Sequence, residues 1–473
     1  MAGPALLMAC AALALVAVLV SVAWPVPAGA HTDLDRTEPA DLSEQPNSVA
    51  EVRFFFATDT VGSDAGFAAI DDLGEGRGAS TWEPLDGRTW VARFDPPLIG
   101  DPVGVRYSVL AVDGHRIEGG ISFRARPPVL TTTVAAVDSA PSEPPAAGPD
   151  RQAVDDFVAG SDASSAGGGT LALAARMVAF LGALVGVGAV AFSAWVLGRT
   201  RSRRGDRADV RAVCFWVRRG GAALVAGTLV QVVGQGAVVA SGRWGEVFGG
   251  SAIGRALDGS FGIAVALRLL GGAGLLATDV PGPLRNGPAQ RTGAARTLAP
   301  LAGSVLVVAS FAFTGHTVSK GWRPLSALSD LVHVGAAAIW VGGVAMLAVV
   351  LRARMRSGRS RRAAELGAQF SAVATRALAA VAAAGLVLAV SVLDSPGDLV
   401  GTAWGRWLLA KLTLVAVAVG LGAYNGRVLV PALGARHADD ETEDRFALVV
   451  TVEVGALLGV AILSAALVGA STL

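Results

Sequence analysis

Hydrophobic positions follow three different rhythms along the chain. An apolar run, Ala5–Trp24, stops at helix-breaking Pro25 and Pro27 and the small triplet Ala28-Gly29-Ala30. That is the pattern of a secretory leader over residues 1–30, cut after Ala30, although no Arg or Lys precedes the run. From residue 31 to 126 the apolar positions come in short stretches rich in β-branched and aromatic residues: Val49–Phe56, Thr89–Phe94, Val103–Val112 and Ile121–Arg126. Gly, Asp and Pro clusters separate them, which predicts a small all-β sandwich. Residues 127–168 are rich in Pro, Ala, Gly and Ser without apolar periodicity and read as a flexible linker. From residue 169 to 473, apolar stretches long enough to cross a bilayer recur at about 171–197, 220–241, 261–278, 298–315, 327–351, 370–393, 404–424 and 446–470. The expected architecture is therefore an extracytoplasmic β-sandwich followed by an all-α polytopic bundle of about eight membrane helices.

Composition agrees with a membrane protein. The chain has 473 residues and a mean hydropathy of +0.54, with 52% hydrophobic residues, too apolar for an ordinary soluble protein. The net charge of +1 hides a segregation. Residues 31–126 hold 17 acidic and 9 basic side chains, near −8. With that segment outside, the inner loops 199–219, 279–296, 352–366 and 426–445 hold 20 Arg, against 5 Arg plus Lys in the outer loops 242–260, 315–326 and 394–406. This is the positive-inside asymmetry, and it places the β domain extracytoplasmically on a cell membrane. The arginines are thus explained by topology, and no nucleic-acid partner is expected. No Gly-x-x-x-x-Gly-Lys-Ser/Thr motif is present to bind a nucleotide.

Two separated pieces of the β region carry metal-ligand chemistry. Cleavage after Ala30 leaves His31 as the first residue, offering an α-amine and an imidazole nitrogen together. Asp113-Gly114-His115 adds a carboxylate and a second imidazole. Asp113 and His115 share a strand face if the motif continues the preceding strand. Three nitrogens and one oxygen suit square-planar Cu(II), and copper outranks Zn²⁺ at such ligands. With two cysteines, one of them in the leader, and few methionines, thiolate and thioether Cu(I) sites are excluded by count. Binding displaces protons, so acid should weaken it.

Ionisable residues inside membrane spans are costly and usually face a bundle interior or a water-filled path. His316 and His333 fall near the outer ends of the fourth and fifth predicted spans. Asp330 shares a helix face with His333, three residues on. Glu453 is placed about two turns in from the inner end of the last predicted span, as a relay or a partner for an arginine. His316, Asp330, His333 and Glu453 are the candidates for a membrane copper path. Arg176, Arg268 and Lys411 are also intramembrane. For the two arginines, pairing between helices or snorkelling to an interface is the favoured reading.

The β region resembles the CopC family of periplasmic copper-binding proteins, through His31-Thr-Asp-Leu34 with Pro39-Ala40, and Asp113-Gly-His115 followed by Gly119, Gly120 and Phe123. Tyr107 stands where family members commonly carry Trp, and Ala111 where they carry Ser. The membrane region resembles the CopD family, through Gly315-His316, Asp330-Leu-Val-His333 with Trp340-Val-Gly-Gly343, Phe370-Ser371, Trp404-Gly405 with Leu408-Leu-Ala-Lys411, Asn425 with Arg427, Pro431 and Glu453. The order matches fused CopC–CopD copper resistance and import proteins. The resemblance implies an Ig- or cupredoxin-like sandwich binding Cu(II) at His31, Asp113 and His115, on a bundle that imports copper. Copper ion and the lipid bilayer are the implied partners, with any extracytoplasmic copper chaperone or acceptor unidentified.

Three other readings remain open at this stage. In the first, the same ligands confer resistance by sequestration or sensing, and nothing crosses. In the second, His316 and His333 are axial ligands of a haem in an electron carrier. In the third, the terminal histidine belongs to an oxidative polysaccharide-cleaving enzyme. A carboxylate would then fill a position that chemistry keeps open, and the region has no evident flat aromatic surface, so no enzymatic activity is expected.

Overall fold

The computed structural model describes residues 34–57, 59–111, 116–126, 151–159, 166–197, 206–240, 243–279, 294–314, 323–356, 363–393, 395–434 and 440–467. The predicted leader, most of the linker and the candidate ligands His31, Asp113, His115 and His316 lie outside the described residues. The chain divides into two compact units. One takes in Ala30–Thr170 and Val233–Gly259, and the other Leu171–Val232 and Ser260–Leu473.

The first unit is built on nine strands: β1 Leu34–Glu38, β2 Glu44–Gln45, β3 Val49–Phe56, β4 Thr60–Ile70, β5 Arg77–Gly78, β6 Thr81–Pro84, β7 Thr89–Leu98, β8 Gly100–Ala111 and β9 Arg116–Ala125. They form a four-stranded sheet, β1-β3-β7-β6, and a five-stranded sheet, β2-β9-β8-β4-β5. Among the described strands only the short β2–β9 pair is parallel. Alternation on β3 sends Val52, Phe54 and Phe56 inward, and Val49 joins them across a register shift, against Val103, Val105, Tyr107 and Val109 of β8 and Phe123 of β9. Tyr107 fills its core position with its ring 5.4 Å from Phe54 and 5.6 Å from Phe56. Interdigitating inner faces of this kind make one sandwich core.

The β4 strand has no counterpart among the predicted elements. Its sequence, TVGSDAGFAAI, lacks a run of large apolar residues because it makes room for two indoles. A Cβ on Gly62 would stand 2.3 Å from Trp82 Cζ3 and 2.9 Å from Trp90 Cη2. Polar positions on β4 are used inside: Thr60 Oγ1 accepts from Trp90 Nε1 at 2.8 Å, and Ser63 Oγ donates to the Ser108 carbonyl at 2.8 Å.

Part of the expected linker is helical. Helix α1, Arg151–Ala159, packs on β8 and β9. Val154 is fully buried, and Val154 and Val158 lie over Gly104 and Gly120, where a Cβ would come within 2.8 Å and 2.6 Å of their methyls. The Phe157 ring lies 5.2 Å from the Arg106 guanidinium carbon.

The second unit, with the ends of α2 and α3 that the division assigns to the first, is helical: α2 Ala166–Trp195, α3 Asp206–Val239, α4 Ser260–Leu276, α5 Ala294–Ala309, α6 Arg323–Ala337, α7 Gly343–Arg356, α8 Ala363–Val392, α9 Ala403–Tyr424, α10 Val430–Gly434 and α11 Asp440–Leu467. Two of the joints, α6–α7 and α9–α10, are π-helical turns, Ala338–Gly342 and Asn425–Leu429. Among the described residues, six segments are long and apolar enough to cross a membrane, and Ser260–Leu276 and Leu298–Phe313 are shorter apolar helices. Each of the eight falls on a predicted span. Backbones meet where side chains are smallest: a Cβ on Gly188 of α2 would lie 2.5 Å from Gly342 Cα. Such contacts replace the hydrophobic driving force that lipid does not supply. A buried ion pair ties α3 to α7, Arg354 Nη2 and Nε lying 2.9 and 3.0 Å from Asp209 Oδ2.

Candidate functional site

The described strands bracket the outer candidate ligands. Strand β1 begins at Leu34, paired with Phe56 at the end of β3. A short connection leads to Thr60, which pairs with Ala111 at the end of β8. Leu110 in turn pairs with Arg116 at the start of β9. The entry to β1 and the β8–β9 connection therefore leave from the same end of the sandwich. The sequence segments holding His31 on one side and Asp113 and His115 on the other are joined to that end.

Surface charge at this end is ordered by local bonds. Asp86 Oδ1 accepts from the backbone N–H groups of Arg88 and Thr89, each at 2.7 Å, and Arg88 Nε reaches Asp59 Oδ1 at 2.9 Å. The Arg88 amide, with help from Thr89 and the Arg88 charge, holds the Asp86 carboxyl below its ordinary value, against a smaller opposing effect of desolvation.

In the helical unit, His333 is held by a neighbouring helix. Its Nδ1 lies 3.0 Å from the Val381 carbonyl oxygen of α8. A carbonyl only accepts, so Nδ1 carries the proton, and in the neutral ring Nε2 presents a lone pair. Metal-ligating histidines are commonly oriented in this manner by their other nitrogen. Gly385, one turn further along α8, makes the space: a Cβ there would lie 3.0 Å from His333 Cε1. His333 is nine residues past Pro324, where the candidate span begins, or about 14 Å along the helix axis, in the first third of that segment. Asp330 is one turn before it, and Lys411 of α9 is within electrostatic reach of both. Among the described residues no ion pair within 4 Å joins Asp330 to Lys411.

Glu453 stands apart from these residues. The last candidate span, Glu441–Ser464, opens with Glu441, Glu443, Asp444 and Arg445 and is apolar from Phe446, so Glu453 lies seven residues, about 10 Å or two turns, into its apolar part. Its partner is an amide and not an arginine: Asn425 Nδ2 donates to Glu453 Oε2 at 3.2 Å. Asn425 heads the second π-helical turn. Arg268 follows the pairing expectation with neutral groups, its guanidinium lying 3.3 Å from each of Ser310 Oγ, Gln231 Oε1 and Thr314 Oγ1. No cluster of three His, Cys, Asp or Glu side chains with metal-binding geometry occurs among the described residues.

Fold and candidate residues together define a class, a β-sandwich domain carried by a multi-pass membrane bundle. Comparison with known proteins makes it specific. Residues 34–126 match the CopC domain, and residues 364–468 match copper resistance protein D, CopD. The chain thus carries a CopC match followed by a CopD match. The CopC match takes in Asp113 and His115 and starts after His31; the CopD match takes in Lys411, Asn425 and Glu453 and starts after His333. A curated relative, "Copper transport protein CutJ" of Bacillus subtilis (strain 168), is 34% identical over 112 residues. That alignment covers 24% of this chain and 21% of the relative, so only about a fifth of the relative's length is matched. The crystal structure of CopC from Methylosinus trichosporium OB3b aligns at 24% identity over 21% of this chain and 96% of that one, with a TM-score of 0.18.

Proposed function

We propose that this chain captures Cu(II) outside the membrane with its β-sandwich and imports copper through its helical bundle. His31, Asp113 and His115 form the capture site, once the leader is removed. His333, steadied by the Val381 carbonyl, and Asp330 form part of the route through the membrane, with His316 at its entrance. The observation that carries this reading is topological: strand pairing joins the two ligand-bearing segments to one end of the sandwich. The fusion of a CopC domain to a CopD domain and the name of the curated relative support copper as the cargo. The arginine asymmetry of the loops supports an extracytoplasmic β domain. We read the chain as a carrier and not an enzyme.

N-terminal sequencing of the mature protein, followed by Cu(II) titration of wild type and His31→Ala, tests the capture site. One equivalent bound by wild type and a large loss of affinity in the variant are expected; an uncut leader sinks the idea. Uptake of labelled copper into proteoliposomes separates import from sequestration, in which nothing enters. A Soret band in the purified protein would replace this reading with the haem-binding one.

A further inference from the structure

A carboxyl group buried within an apolar span asks what balances its charge. Glu453 is 5% exposed, and Asn425, facing it from the π-helical turn, is 6% exposed. Asn425 Nδ2 donates to Glu453 Oε2 at 3.2 Å. The other Glu453 oxygen, Oε1, faces the backbone of α9, where a Cβ on Gly422 would be 3.1 Å from it. Asn425 Oδ1 is buried and has no hydrogen-bond donor among the described residues. One amide donor is poor compensation for an ionised carboxylate removed from water. A buried acceptor without a donor adds its own cost. A single proton on Glu453 remedies both defects, since it removes the charge and supplies the donor that Asn425 Oδ1 lacks. Carboxylic acid and carboxamide are complementary in this way, each having one donor and one acceptor to offer.

Among the described residues, the neighbouring helices supply no counter-ion in place of that proton. Helix α7 brings Arg352, exposed and bonded to Thr451 Oγ1 at 3.0 Å, and Arg354, paired with Asp209. The π-turn brings Arg427, which is exposed. Helix α9 brings Tyr424 and, eleven residues before Gly422, Lys411, about 16 Å along the axis. Helix α10 has no titratable side chain, and those of α11 itself, Glu441 to Arg445, lie at its start. None of them pairs with Glu453. The geometry also includes the π-turn, a local unwinding that recurs at functional sites.

We propose that Glu453 and Asn425 form a proton-binding site buried within the helical bundle, and that its proton is the coupling ion for copper movement. The coupling half rests on the import reading above; the proton-binding half does not. Infrared difference spectra of the purified full-length protein, titrated with acid and base, decide the first half. A carboxylic C=O stretch that titrates, shifts in D₂O and vanishes in Glu453→Gln is expected, while Asn425→Ala keeps the band and moves its midpoint. Identical spectra for wild type and Glu453→Gln overturn the site. Copper flux into proteoliposomes decides the second half. Stimulation by an imposed pH gradient in wild type, lost in Glu453→Gln, is expected, and wild-type flux indifferent to the gradient overturns coupling. Complete absence of wild-type copper flux beside an intact infrared band instead sinks the import reading and leaves the proton site standing.

Discussion

Gly385 offers a way to disturb His333 without touching any group that could bind copper. A Cβ at this position would lie 3.0 Å from His333 Cε1 and 3.2 Å from Nδ1, the atom bonded to the Val381 carbonyl at 3.0 Å. Such contacts oblige the ring to move by a few tenths of an ångström, which stretches and misaligns the hydrogen bond. Its loss is worth about 1 kcal/mol, or about fivefold in how well the ring holds an ion in the proper orientation. Alanine in place of glycine within a helix contributes about 1 kcal/mol in the opposite sense. Gly385→Ala is therefore expected to keep or raise the melting temperature of the purified protein while lowering copper flux about fivefold. Gly420→Ala is the control, because a Cβ on Gly420, in α9, meets nothing within 4 Å. It should show the stability gain with no change in flux. Equal flux in the two variants would refute the role given to the His333 orientation. A large fall in melting temperature for Gly385→Ala would mean that the backbone, not the ring, absorbs the contact.

Other outcomes follow from the same structure. Asp209 and Arg354 are 1% and 5% exposed and share contacts of 2.9 and 3.0 Å, so Arg354→Met alone should cost about 3–5 kcal/mol, with most of the loss recovered in the double variant Asp209→Leu, Arg354→Met; thermal melts of the four proteins give the coupling. Gly62→Ala drives a methyl against Trp82 and Trp90 and should destabilise the β domain by about 1–3 kcal/mol, read by tryptophan fluorescence in urea. The Asp86 carboxyl is held below its ordinary value by the Arg88 amide, so its contribution to stability is full above the unfolded value near 3.8 and fades as pH falls through the lower folded value. Melting curves of Asp86→Asn should converge on wild type in that acid window and lie below it at neutral pH.

What could be read beforehand divides along physical lines. Strand β3 was legible at both ends, Val49 and Phe56, because β-branched and aromatic residues fill it. Strand β4 was not, since Gly62 exists to make room for indoles from β6 and β7, and a hole has no hydrophobic signature. Helix α1 carried a signal that length obscured. Val154, Phe157 and Val158 are spaced to share one face, but nine residues are too few for a helix to persist without the sheet beneath it. The six long apolar segments and the two shorter apolar helices among the described residues were legible, because apolar length is a property of contiguous sequence.

Partners across helices were the part that sequence concealed. His333 was visible as an intramembrane imidazole, whereas the group that orients it is a backbone carbonyl 48 residues later, and every residue has one of those. Glu453 was visible as an intramembrane acid, read as a relay or as a partner for an arginine, the second because opposite charges are the pairing that sequence suggests. The fold gives it Asn425, 28 residues earlier, at a turn whose π-helical geometry no local pattern announces. This difference changes the chemistry. An arginine would hold the carboxylate charged, as in the Asp209–Arg354 pair, whereas an amide tolerates both protonation states and favours the neutral one away from water. The chain thus contains both designs at comparable burial, and the prediction separating them is direct: replacing Asn425 with Arg should fix Glu453 in its charged form and abolish the titrating infrared carboxyl band. Persistence of that band in a folded Asn425→Arg protein would show that Asn425 does not govern the proton.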